Sequence, residues 1–320
     1  MYPMLALTLL TFAVRAAALA GGFVFDDALM FGHRTVVPLR ELPLFFFSNH
    51  SQIFGSNFYR PVLCIWYELW FRLLGASPVG WHLLGIFLHL ACVLLLYRLA
   101  MEMLESRTVA FVAAAIFAVH PAQVEAVAWT SAMGDPLMAA FLLLSMLAFL
   151  RWLSSGRAGY WIAALLAAEA CFCCKETGVV LPVLLLAAAW TYGERAVAGR
   201  RYSFWLALIP FFALVLVHLA LRRMVLPSFA HQFTPISDGS MILTWPSALL
   251  FYARHLFWPE AVVPFYPLGL RRAGGSFSCH WRFCCRCWRH SVLCWFAPRV
   301  RAGPPSAPSG CWRRWRRYCT

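Results

Sequence analysis

Apolar residues run in series along the chain, at 4–20, 81–104, 109–120, 136–153, 159–174, 179–192, 203–221 and 241–258. These are eight candidate membrane spans, several of them short. A helix needs about 20 residues to cross a hydrocarbon core of about 30 Å. The short stretches must therefore run on through less apolar ends or be partly re-entrant. The first stretch ends in Ala18-Leu19-Ala20, a signal-peptidase-like triplet, but it has no basic leader and contains Arg15, so a span is expected. Pro61–Leu74 is different. Its fourteen residues reach only about 21 Å as a helix, and Glu68 and Arg72 stand at i,i+4, a pair suited to a water-facing side. An interfacial helix is expected there. A ninth span at this point would invert everything downstream.

Orientation follows from arginine placement. With the amino terminus inside, the short inside loops carry Arg98 and Arg107, then Arg151 and Arg157, then Arg195, Arg200 and Arg201. The outside turns near 120–136 and 175–178 carry one basic residue, Lys175. This fits the positive-inside rule. The longer outside segment holds Arg34, Arg40 and Arg60, but long loops weigh less in that rule.

Composition agrees with the pattern. The 320 residues are 62% hydrophobic and 12% charged, against about 45–50% and about 25% in soluble chains. A cytosolic globular enzyme, a disordered protein and a collagen-like fibre are excluded. The expected fold is all-α, a polytopic transmembrane bundle of about eight spans plus the interfacial helix.

Charge divides the chain at about residue 270. Of the net +14, residues 271–320 contribute +11, from Arg alone, which leaves +3 for the rest. The basic balance belongs to the tail and is not a nucleic-acid footprint. Seven of the 12 cysteines also lie in this tail, which lacks Ile, Met, Lys, Asp, Glu, Asn and Gln. The spacing of Cys279, Cys284, Cys285 and Cys287 matches no closed zinc pattern. The expected organisation is a membrane domain over 1–270 and a tail over 271–320 that is unstructured or an out-of-frame translation. Cys171, Cys173 and Cys174 fall in an apolar stretch, where a thiol behaves as a small hydrophobe.

Span parity puts four polar clusters on the outer face: Asp26 with Asp27, His120 with Glu125, Asp135, and Lys175 with Glu176. Ionisable groups near a membrane are costly unless paired, so their coincidence on one side points to a site. Taken singly, Asp26-Asp27 also reads as a hydrated helix end. Lys175 also reads as half of a structural ion pair with Glu125 or Asp135.

The same residues carry a family resemblance. Phe23-Val24-Phe25-Asp26-Asp27 resembles the first outer loop of the transmembrane and tetratricopeptide-repeat O-mannosyltransferases and their bacterial relatives. Tyr59-Arg60-Pro61-Val62 is similar to the start of that family's interfacial helix. The stretch from His82 to His89 resembles its His-Leu-x-Asn-x-x-x-His pattern, with Gly85 where Asn is common. His120-Pro121 with Glu125, and Lys175-Glu176-Thr177-Gly178, resemble its His-Pro-x-x-x-Glu motif and Lys-Glu turn. The resemblance covers about residues 5–270.

It implies a glycosyltransferase-C bundle that transfers a sugar, mannose in eukaryotes, from a polyprenyl-phosphate donor to a hydroxyl acceptor on protein or glycan. The site would face the lumen or periplasm. Asp26, with Asp27 as runner-up, would be the catalytic base. Lys175, Glu176, His120, Glu125 and Arg60 would bind or position the donor phosphate, with Lys175 as its point charge. No cofactor and no metal ligands are expected beyond the donor lipid, and the need for a divalent ion stays open. The expected partners are the membrane, the donor lipid and the acceptor, with no nucleic acid. A bacterial inner membrane is favoured over the endoplasmic reticulum. A non-catalytic membrane protein or a remnant is the alternative. A transporter is the weaker rival, since no internal repeat is evident.

Overall fold

The computed structural model describes residues 2–32, 34–49, 57–192, 203–226 and 238–259. All regular structure among them is helical. The chain forms two units, residues 1–237 with 245–267, and residues 238–244 with 268–320. In the second unit only 238–244 are described, as helix. The tail expected to lack structure, with its cysteines, lies outside the described residues.

In the first unit α1 (Tyr2–Arg15) runs on through a 3-10 segment, Ala16–Ala20. A short α2 (Asp27–Gly32) leads to α3 (Pro61–Leu74), which has proline in its first turn and Gly75 at its end with φ +55°. Then α4 (Pro78–Leu104) starts at Ser77, whose side chain caps the amide of Gly80. α5 (Arg107–Val119) and α6 (Val124–Ala128) are followed by α7 (Gly134–Ser155) and α8 (Ala158–Phe172), a hairpin closed by Gly156 in the left-handed region. α9 (Leu181–Tyr192), α10 (Ser203–Val225) and α11 (Asp238–Phe257) complete the order.

Four described stretches are long and apolar enough to cross a membrane: Tyr2–Ala20, Pro78–Leu104, Thr130–Ser155 and Trp205–Val225. The bent pair Arg107–Val119 and Pro121–Ala128 makes a fifth if counted as one span. The expected eight are therefore not confirmed among the described residues, for local reasons. Pro121 lacks an amide proton and pushes His120 to an extended ψ of 128°, so α5 stops and the chain bends by 56°. α8 has only 15 residues and the segment Glu176–Tyr192 is likewise short. In α11 the apolar run is diluted by Thr244, Ser247, Arg254 and His255.

Interhelical packing uses small residues. Ala110, Ala114 and Ala118 form a fully buried i,i+4 stripe on α5, next to Leu7, Val93 and Tyr97. A second core joins Phe149, Leu150, Ala164, Phe172, Leu185 and Phe211 from α7 to α10. Under α3 a third gathers Phe31, Leu63, Tyr67, Trp81 and Met133.

α3 has the expected bounds, but its Glu68–Arg72 pair does not face water. Glu68 is fully buried and accepts from Arg72 at 3.2 Å, Arg34 at 3.3 Å and the amide of Val37 at 2.8 Å. Arg72 also donates to the carbonyl of Val37. The carboxylate draws the loop preceding α3 onto the helix, because a buried charge is tolerated only when paired and hydrogen-bonded.

Gly85, the departure from the family's asparagine, has a steric reason. A Cβ there would stand 2.8 Å from the Val127 carbonyl oxygen of α6. Gly85→Asn is expected to destabilise the bundle by about 1–3 kcal/mol, the range for overpacking a close contact. A thermal melt in detergent that falls relative to wild type checks this, and an unchanged melt contradicts it.

Candidate active site

The ends of the bundle differ. At one end Arg151 of α7 pairs with Glu102 of α4 at 2.9 Å, and Arg98 of α4 reaches Met4 of α1. The polar clusters expected on the outer face all lie at the other end.

Asp27 is fully buried and saturated. Its Oδ1 accepts from the amide and hydroxyl of Ser131, at 2.7 and 2.5 Å. Its Oδ2 accepts from the amides of Thr130 and Val24, at 3.2 and 3.3 Å. The side chain thus staples the first outer loop to the segment 129–131. Phe25 takes φ +55° there and stands edge-on to Trp129. Left-handed backbone at a bulky residue persists only where the surroundings enforce it. Asp26, half-buried, accepts from Trp129 Nε1 at 2.7 Å through Oδ1. Its Oδ2 bonds no described residue. Of the two carboxylates, only Asp26 keeps an oxygen uncommitted among the described residues.

The segment continues into α7, whose Asp135 receives Lys175 Nζ at 2.5 and 2.6 Å. Both side chains remain partly exposed, at 26% for Lys175 and 43% for Asp135. Of the partners foreseen for Lys175, Asp135 is the one found. Lys175 sits in the turn between α8 and α9, where a Cβ at Gly178 would lie 2.8 Å from Cys171 Sγ. Only glycine lets the turn fold back on the end of α8.

Glu176 points away from its neighbour, as adjacent residues do. Arg60 grips it through Nε at 3.0 Å and Nη2 at 2.7 Å, and Arg222 Nη1 adds a third contact at 2.9 Å. Burial pushes the Glu176 carboxyl up, but the bonds and charge of Arg60, then Arg222, outweigh it, and its pKa lies below the usual glutamate value. The amide of Val62 donates to the Cys173 carbonyl at 3.2 Å, which fixes the start of α3 against this turn. The Arg60 guanidinium lies 3.9 Å from the ring centre of Phe58. Beside it, burial followed by the neighbouring Cys173 and Glu169 pushes the Tyr59 hydroxyl up to about 12.

His120 and Glu125 are at the same end but touch neither Asp26 nor Lys175. His120 Nδ1 accepts from the amide of Ala122 at 3.2 Å, so Nε2 carries the proton and donates to the Leu256 carbonyl at 2.9 Å. This histidine braces the α5–α6 break against α11. Glu125 is half-buried, and its Oε1 is buried without a hydrogen-bond partner among the described residues. Arg15 closes the end of α5, donating to the carbonyls of Ala118 and His120 at 2.9 Å each. Carbonyls at a helix C-terminus are natural partners for a cation.

Reading the sequence missed Arg222. It lies just past the apolar run 203–221, and the same parity that placed Lys175 would have put it on the outer face.

A multi-helix bundle with apolar helices long enough to span and its polar clusters gathered at one end has the make-up of a polytopic membrane protein. Residues 60–221 match the family model described as dolichyl-phosphate-mannose-protein mannosyltransferase, and the chain belongs to that family. The chain is 32% identical to protein O-mannosyl-transferase Tmtc1 of Drosophila melanogaster over 187 residues, 55% of this chain and 21% of that protein. It is 29% identical to protein O-mannosyl-transferase TMTC1 of Homo sapiens over 182 residues, 51% and 21% of the two chains. To Tmtc2 of Drosophila melanogaster it is 31% identical over 183 residues, 53% and 20%. The chain thus spans about a fifth of the length of these relatives. All three are animal proteins, and they lend no support to the expected bacterial inner membrane.

Proposed function

We propose that the charged end of this bundle transfers mannose from a polyprenyl-phosphate donor to a hydroxyl on an acceptor protein, at the lumenal or periplasmic face of the membrane. The observation that carries this reading is the division of labour at that end. One carboxylate, Asp27, is consumed by structure, while its neighbour Asp26 keeps an oxygen that bonds no described residue, and Lys175 pairs with Asp135 just beyond the segment that Asp27 staples. Family membership supplies the reaction class.

Transfer forms a bond between the acceptor oxygen and the sugar C1 and breaks the bond from C1 to the phosphate oxygen. The hydroxyl proton goes to Asp26, and the electron pair of the broken bond stays on the phosphate. Lys175 meets that charge by exchanging Asp135 for a phosphate oxygen. Glu176 holds Arg60 beside it, and Arg222 locks Glu176. His120 keeps the α5–α6 break in place, and Glu125 faces the donor or the loop around it.

The experiment is a melt of the detergent-purified chain with and without polyprenyl phosphate. The lipid should raise the wild-type melting temperature, and Lys175→Gln should remove most of that rise while leaving the lipid-free melt nearly unchanged. A lipid-induced rise that persists in full in Lys175→Gln ends the phosphate role of this lysine.

A further inference from the structure

Behind the Lys175–Glu176 turn lies a second cluster that the transfer reaction does not use. Glu169 and Cys173 stand one turn apart at the end of α8, and His218 projects from α10 one turn before Arg222. Cys173 Sγ is 3.4 Å from Glu169 Oε1, and His218 Nδ1 is 4.0 Å from each of those atoms. All three donor atoms lie within 4.8 Å of one another.

The histidine gives an independent reason to look further. It is 1% exposed, its Nδ1 lies 4.0 Å from both Cys173 Sγ and Glu169 Oε1, and its Nε2 has no hydrogen-bond partner among the described residues. Glu169 Oε2 is likewise buried without one. A buried imidazole left without a normal hydrogen bond is costly, and native interiors rarely keep one without a reason.

We propose that Glu169, Cys173 and His218 bind a divalent transition cation, zinc by the character of the donors, clamping α8 to α10 beneath the Lys175–Glu176 turn. Thiolate, imidazole and carboxylate together are the donor mixture of zinc, too soft for magnesium or calcium. Donors about 2.0–2.3 Å from a tetrahedral ion stand about 3.3–3.8 Å apart, so the two 4.0 Å separations need to close by less than about an ångström. Charge balances as well: thiolate and carboxylate offset a 2+ ion, and binding releases the Cys173 proton to solvent. Three protein donors leave one coordination position for water.

The test uses the full chain with its seven tail cysteines changed to serine, purified in detergent, loaded with zinc and passed through a desalting column. Metal analysis should find one zinc per chain. Loading with cobalt instead should give a thiolate-to-cobalt charge-transfer band and the intense visible bands of a tetrahedral site. Cys173→Ser should abolish the charge-transfer band, and His218→Gln should weaken zinc binding at least about 10–100-fold. If Cys173→Ser fails to fold, the spectrum of the parent chain still decides. No charge-transfer band there, retention of less than a tenth of an equivalent of zinc, or equal retention by a folded Cys173→Ser chain overturns the site and leaves a hydrogen-bonded Cys–Glu–His group. The lipid-phosphate melt of Lys175→Gln is read separately, so failure of one reading is distinguishable from failure of the other.

Discussion

Asp26→Asn should lower mannose turnover by about 10²–10⁴-fold, the contribution of a positioned general base, while donor affinity changes little. The amide keeps the size of the side chain and can still accept from Trp129 Nε1, so the loop has no cause to move. Only the ability to take a proton is lost. Asp27→Asn should behave differently. Its carboxylate accepts four hydrogen bonds in a fully buried position, and an amide nitrogen placed among those donors would face an N–H or O–H head-on. That variant should lose stability, by about 1–3 kcal/mol, together with donor binding and turnover. Steady-state kinetics paired with melting curves separates the two. Full turnover in Asp26→Asn with a stable but inactive Asp27→Asn would move the base by one residue.

Glu176→Gln should be the most damaging change to stability at this end. It leaves Arg60 and the nearly buried Arg222 facing each other without the charge that holds them. Losing one partner of a buried pair costs about 3–5 kcal/mol. Glu176 is 29% exposed, so water screens part of this and about 2 kcal/mol is the expectation. The pH dependence has a definite sign. The folded-state pKa of Glu176 lies below its ordinary value of 4.5. Its stabilising contribution is therefore fully present above that ordinary value and is lost as pH falls through the lower folded value. Melting temperatures of wild type and Glu176→Gln should differ most at neutral pH and converge once the pH falls below the lowered folded-state value. A gap that does not narrow in acid would mean that the glutamate acts by shape and not by charge.

The sequence made much of this end legible, for an energetic reason. Ionisable residues are so costly near lipid that those present stand out, and span parity alone put Asp26, Glu125, Asp135, Lys175 and Glu176 together. The bounds of α3 were also legible, because Pro61 and Gly75 punctuate it. Partners were legible for Lys175 only, as Glu125 or Asp135, and not for Glu176. Lys175 with Asp135, and Glu176 with Arg60 and Arg222, are contacts separated by 40 or more residues, set by how helices dock. Glu68 misled for the same reason: an i,i+4 pair with Arg72 looks solvated until a loop from Arg34 to Val37 closes over it. Not all of the eight apolar runs become helices long enough to span among the described residues, because hydropathy registers apolar runs and not the breaks at His120-Pro121 and Cys173–Lys175 that shorten the helices. Those same breaks bring the polar residues to one end.

The central claim is that this end performs the transfer, and a single-turnover measurement addresses it most directly. The chain, reconstituted in lipid nanodiscs, is given polyprenyl-phosphate mannose carrying a labelled sugar together with a Ser/Thr-rich acceptor polypeptide. The account predicts label on acceptor hydroxyls with one equivalent of polyprenyl phosphate released for each sugar transferred, and no label above background with Asp26→Asn. Donor that binds in a Lys175-dependent way yet is never consumed would contradict the account, and would leave the chain a lipid-phosphate-binding membrane protein without transferase chemistry.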